Sequence, residues 1–227
     1  MNNSTTRREV AIRLTLALYA LAIASGTGFA TPSGLNNIPT ADVVSPHVLV
    51  AQTFADFGES RGPTWFAGFK YGPSQNWEVG LDDTLAGSGS AGGPTLQAKC
   101  RVARKGQGAL ALGAANMSDD RGRHGDVFPY AVISAPLSAA RGHLGYSWQS
   151  NNAAWFIGAD APVNQKLTLR ADWIQTADGE ESLSSLGIIT SLSPSWLVEG
   201  WASFPTADDA KTGYIFKLDW VIPLPGK

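Results

Sequence analysis

The chain has 227 residues, of which 16% are charged, with 25 Gly, 13 Pro, 8 Trp, a single Cys and a formal net charge of −2. So few charges exclude a coiled coil and argue against a disordered chain. The lone Cys100 excludes a disulfide framework and a multi-cysteine zinc site, and the mild acidic balance gives no reason to expect a nucleic-acid partner.

Residues 1–30 read as a secretory signal peptide. Arg7, Arg8 and Arg13 form a basic start, and residues 14–24 (LTLALYALAIA) form an apolar run too short to span a bilayer comfortably as a helix. Gly28 and Ala30 are small enough for signal peptidase to cut before Thr31. The competing reading, a single membrane anchor, lacks the length and a stop-transfer flank. The Arg7-Arg8 pair leaves both general secretory and twin-arginine export open, and no cysteine follows for a lipoprotein anchor. Losing Arg7, Arg8, Arg13 and Glu9 leaves a net charge of −4.

Residues 31–46 (TPSGLNNIPTADVVSP) carry three prolines and no clear period, which predicts an extended periplasmic segment ahead of a sheet. From His47 the apolar residues alternate with polar ones. This period of two predicts strands over 47–57, 63–71, 76–85, 95–104, 108–117, 127–137, 142–149, 153–161, 166–175, 183–192, 196–204 and 213–222. Scattered glycines and the i, i+2, i+4 spacing exclude helices. Most segments have the length that a tilted membrane strand needs. Twelve strands are expected, with ten as the alternative count. Hydropathy alone cannot separate such a barrel from a soluble protein, because the two faces of each strand cancel.

The connections alternate. Short ones fall at 72–75, 105–107, 138–141, 162–165 and 193–195, and mostly longer ones at 58–62, 86–94, 118–126, 176–182 and 205–212. Only 150–152 breaks the rule. Outer-membrane barrels sort their loops in this way, with tight turns on the periplasmic side.

One face of the strands carries aromatics at both ends. Trp65, Trp148, Trp155, Trp173, Phe204 and Tyr214 fall near long loops, and Tyr71, Trp77, Trp196 and Trp220 near short turns. Two aromatic belts around an aliphatic band fit two membrane–water interfaces. A soluble core would instead gather tryptophan at mid-strand.

The opposite face carries the candidate lumen lining. Its cations are Lys70, Lys99, Arg101, Lys166, Arg170 and Lys217, and its anions are Glu78, Asp82, Asp160, Asp172, Glu199 and Asp219, with His143 beside them. Such a set cannot occupy a dry core without pairing. Hairpin register suggests Lys70 with Glu78, Asp160 with Lys166, and Glu199 with Lys217. Two readings stay open: a hydrated polar pathway, or a network that stiffens a narrow barrel. The even balance of charge argues against strong ion selectivity. Inward Gly68, Gly80, Gly145, Gly158 and Gly187 would leave space or let strands bend.

Catalysis has little support. His143 and Ser147 share a face, but a nucleophile–base pair is recognised by geometry and not by spacing. No HExxH helix or Walker-type loop is present. Asp119, Asp120 and Asp126 with His124 offer carboxylates suited to calcium, or simply a solvated outer turn. Residues 87–93 (GSGSAGG) lack the lysine of a phosphate loop and read as flexible. No cofactor or metal is expected.

Near the carboxyl end, Lys211-Thr212-Gly213-Tyr214-Ile215-Phe216-Lys217-Leu218 follows a polar-x-Gly-x-x-aromatic-x-hydrophobic pattern. In this the chain resembles Gram-negative outer-membrane β-barrel, porin-like proteins. The resemblance implies an outer-membrane location and recognition by the barrel assembly machinery. The chain departs from the pattern by running on through Pro223-Leu224-Pro225-Gly226-Lys227 rather than ending in an aromatic residue. The segment Thr31-Pro32-Ser33-Gly34-Leu35, with Ile38-Pro39-Thr40-Ala41, is similar to the opening of YjbH-like outer-membrane proteins linked to exopolysaccharide.

The expectation is therefore an all-β, antiparallel, up-and-down transmembrane barrel over 47–227, set in outer-membrane lipid. Its leading role is a passive, non-enzymatic channel for small polar solutes. The alternatives are a closed envelope component in surface polysaccharide export or attachment, and more remotely an outer-membrane lipid hydrolase. A soluble secreted sandwich is the outsider.

Overall fold

The computed structural model describes residues 33–58, 62–87, 93–119, 126–149, 152–175, 181–207 and 211–226. The signal-peptide expectation over 1–30, most of the glycine-rich loop at 87–93, and Asp120 and His124 lie outside them.

The period-two segments form twelve strands: β1 (Val48–Gly58), β2 (Thr64–Tyr71), β3 (Trp77–Ala86), β4 (Thr95–Lys105), β5 (Gly108–Met117) and β6 (Phe128–Leu137), then β7 (Ala140–Gln149), β8 (Asn152–Pro162), β9 (Leu167–Gln175), β10 (Ser182–Ser193), β11 (Trp196–Pro205) and β12 (Gly213–Pro223). Each pairs antiparallel with its neighbours in sequence, and β1 pairs with β12 from Val48↔Pro223 to Gly58↔Gly213 to close the barrel. Closure leaves no free edge, so every strand finds both its ladders without water. Register shifts are confined to the β2–β3, β4–β5 and β10–β11 pairs. Two-residue turns include Gly106-Gln107 between Lys105 and Gly108, where Gly106 adopts a φ of +58° that favours glycine.

Strand alternation sets two surfaces. Outward positions at mid-strand are aliphatic and exposed: Leu144 is 50% accessible, Ile157 52% and Leu186 60%. Trp65, Trp77, Trp148, Trp155, Trp196, Phe204, Tyr214 and Trp220 are exposed around them, and Tyr71 and Trp173 are half-buried. Trp196 and Trp220 are opposite in register and stack with ring centroids 5.5 Å apart. A soluble protein rarely exposes so continuous an apolar band, whereas this is the exterior of a barrel that spans a membrane.

Candidate functional site

Inside the barrel, the decisive feature is a segment that sequence reasoning placed ahead of the sheet. Residues 33–46 fold back into the lumen. Leu35 N–H donates to Ile38 O at 2.9 Å, making a short turn that bridges Gly34 to Pro39. The chain leaves through Ser45-Pro46 and turns at His47, whose N–H donates to Gly72 O at 2.8 Å, into β1 at Val48. Gly72 is required there, because a Cβ would strike the carbonyls of Val44 and Ser45.

A strap without a strand partner must find other partners for its buried amides. The wall supplies them from side chains. Lys99 Nζ donates to Ser33 O at 2.7 Å and Thr40 O at 3.1 Å, and lies 3.7 Å from Glu78 Oε1. Two ammonium protons thus have backbone acceptors, and the Glu78 carboxylate balances the charge. Glu78 accepts the Ser33 hydroxyl at one oxygen and Val44 N–H, at 2.8 Å, at the other. Asp172 accepts Asn37 N–H at 3.0 Å and Asn37 Nδ2 at 2.9 Å. Asn36 and Asn37 also reach Ser185 and Ser203, whose hydroxyls bond each other at 2.7 Å. Arg170 Nη1 donates to Gly34 O at 3.3 Å, and Arg141 pairs with Asp42.

The strap is also packed. Leu35, Ile38 and Ala41 are buried among Ala111, Tyr130, Val132, Phe156 and Trp201. Burying a Leu or Ile side chain contributes roughly 1.5–3 kcal/mol. Gly158 makes the room, since a Cβ there would run into Leu35 Cδ1 and Ile38 Cδ1. The space left by Gly145 and Gly187 is filled from neighbouring strands by Phe156 and Trp201. The upper lumen, toward the long loops, is therefore lined by aromatic rings as well as polar groups.

The charged positions fall mainly in the half nearer the short turns. Glu78, Lys99, Arg170, Asp172, Glu199 and Asp219 are buried. Arg170 lies 3.5 Å from Glu199 Oε1, and Glu199 Oε2 accepts Trp201 Nε1 at 2.8 Å. Lys217 faces Glu199 in register and lies over the rings of Phe54 and Trp201, at 5.7 and 5.9 Å. Asp219 accepts Gln52 Nε2 at 2.7 Å, and Asp82 accepts Gln97 Nε2 at 3.0 Å. Half-buried Lys70 lies opposite Gly80, and Arg101 donates to Gln75 O in a short turn.

Three sequence expectations need correction. Lys166 is exposed in the turn between β8 and β9, not on the lumen wall, because β9 begins only at Leu167. Asp160 accordingly pairs with His143 rather than Lys166. Glu78 pairs with Lys99, its partner across β3–β4, rather than with Lys70.

The His143–Ser147 pair, which the sequence did not favour, is not formed. Ser147 Oγ donates to Pro129 O at 2.8 Å. His143 instead contacts Ser134 Oγ through Nδ1 at 2.7 Å and Asp160 Oδ2 through Nε2 at 2.8 Å. Hydroxyl, imidazole and carboxylate thus form a row, as in a serine hydrolase. Ser134 Oγ also accepts Ala41 N–H at 2.9 Å. It clamps the strap. Among the described residues no group of three or more His, Cys, Asp or Glu could hold a metal ion.

Sequence reasoning missed Ser134, Asn36, Asn37, Ser185, Ser203 and Trp201. Trp201 faces inward and is 4% exposed.

No protein-family model matches the chain, and no curated protein matches it. Solved structures do. KdgM porin superposes with a TM-score of 0.64 at 8% identity, covering 75% of this chain and 98% of KdgM. NanC porin gives 0.57 at 10% identity, covering 76% of this chain and 98% of its own. An outer membrane channel from Pseudomonas putida F1 gives 0.56 at 10%, covering 80% of this chain and 98% of its own. The shared property is the fold, a closed barrel of the outer-membrane porin type.

Proposed function

We propose that the protein is an outer-membrane channel for small polar solutes, without enzymatic activity. The observation that carries the reading is the pairing of a lipid-facing exterior with a wall of inward charges of both signs. A ring of charges inside a closed barrel serves as a hydrated lining for solutes. The fold shared with KdgM and NanC porins supports it. KdgM has been solved with oligogalacturonate, and an oligosaccharide is one class of solute to test here. Residues 211–218 would present the pattern read by the barrel assembly machinery, and outer-membrane lipid would contact the aromatic belts.

Proteoliposome swelling tests the reading. Vesicles carrying the protein should admit a small sugar faster than empty vesicles, with the rate falling as solute size rises. Rates equal to empty vesicles for both the unaltered protein and Asp172→Ala, which loses the Asn37 contact, would exclude a solute pathway.

One observation favours a second reading. The strap fills part of the lumen, as expected of a closed envelope component whose loops act in surface polysaccharide export or attachment. The similarity of residues 31–41 to YjbH-like proteins points the same way.

A further inference from the structure

We propose that residues 33–46 are a removable plug, and that the wall around them is its docking site. The proposal rests on the channel reading and goes beyond it: the channel is closed with the strap docked and conducts when the strap leaves.

The wall reads the strap mainly through its backbone. Lys99, Arg170, Glu78, Asp172 and Ser134 address the carbonyls of Ser33, Gly34 and Thr40 and the amides of Asn37, Ala41 and Val44. Strand pairing does not tie the strap to the barrel, because its one β-bridge is internal, Gly34 to Pro39. It can therefore leave without opening a ladder. Nor is it needed to close the barrel, which is sealed by β1 against β12. Its only charged residue is Asp42, paired with a partly exposed Arg141 near the short-turn rim, so withdrawal drags no buried charge of its own out of a partner. What remains behind keeps two buried charge pairs of its own, Lys99 with Glu78 and Arg170 with Glu199, while Asp172 exchanges Asn37 for the water that enters the vacated lumen. A bound, wall-satisfied peptide on a barrel that closes without it is a two-state element.

A reversible lock tests this. Leu35→Cys and Gly158→Cys, in a Cys100→Ser background, place two thiols where Leu35 Cδ1 now fills the space over Gly158. Heat-modifiable migration verifies that the barrel is folded, and a free-thiol count verifies the bond. In planar bilayers the oxidised protein should be open for less than about a tenth of the time that the same molecules are open after reduction. Asp172→Ala, which leaves Gly158 untouched, should raise the open fraction without any redox treatment. Equal conduction in the oxidised and reduced forms would overturn the plug and leave the channel standing. Silence in the oxidised, reduced and Asp172→Ala forms of a folded barrel would overturn the channel reading, and the plug's gating role with it.

Discussion

Asn37 meets Asp172 at two points: its backbone N–H reaches Oδ2 at 3.0 Å and its Nδ2 reaches Oδ1 at 2.9 Å. Hydrogen bonds to a carboxylate are stronger than neutral ones, contributing about 1.5–3 kcal/mol each. Asp172→Ala removes both. The ratio of docked to undocked strap should fall at least about tenfold, since about 1.4 kcal/mol is a factor of ten in an equilibrium constant. A cysteine placed at Asn36 should then react faster with a soluble maleimide than it does with Asp172 intact. Unchanged labelling would mean that this contact does not hold the strap.

The Lys99–Glu78 pair is buried on both sides. Removing one member strands a buried charge, which costs about 3–5 kcal/mol, whereas replacing both with apolar residues is often neutral. Lys99→Met should lower the temperature at which the barrel changes its gel mobility. Lys99→Met with Glu78→Leu should recover much of that loss. A double variant as unstable as the sum of the two single ones would contradict the pairing.

The outward face predicts depth-dependent sensitivity. Ile157 is 52% exposed at mid-strand and opposite Leu144. Ile157→Arg should destabilise the folded barrel by about 2–4 kcal/mol in lipid. The same substitution at Leu137, exposed beside a short turn, should cost about 1 kcal/mol or less. Urea unfolding in lipid vesicles measures both, and equal costs would argue against the assigned membrane span.

Arg170 and Lys166 separate lumen from rim. Arg170→Ala leaves Glu199 without its 3.5 Å partner and should shift the reversal potential in a salt gradient toward cations. Lys166→Ala, in an exposed turn, should leave it unchanged. A larger shift from Lys166 would put the pathway elsewhere.

The barrel was legible because a membrane strand leaves two independent marks, alternation and loop asymmetry. Each expected strand boundary lies within about two residues of the observed one, as with 108–117 for Gly108–Met117 and 142–149 for Ala140–Gln149. The faces of β2, β3, β7, β9 and β12 followed from the same alternation. The strap was not legible. Its prolines and lack of a period of two read as an extended periplasmic segment, although Leu35, Ile38, Ala41 and Val44 recur every third residue and all are buried. That spacing was the available signal. Trp201 shares the inward side of β11 with Leu197, Glu199 and Ser203, and a reading that looked for charges on that side and aromatics on the other passed over it. The partners of His143 depend on register across three strands, which short-range hairpin reasoning does not supply. Lys166 was misplaced by one residue at a strand start, enough to move it from wall to turn.

Single-channel recording of the purified protein in planar bilayers tests the central claim most directly. The account predicts stepwise currents with long closed intervals, shortened in Asp172→Ala. A folded, heat-modifiable barrel that stays electrically silent in both forms would contradict it, and would favour the closed envelope component.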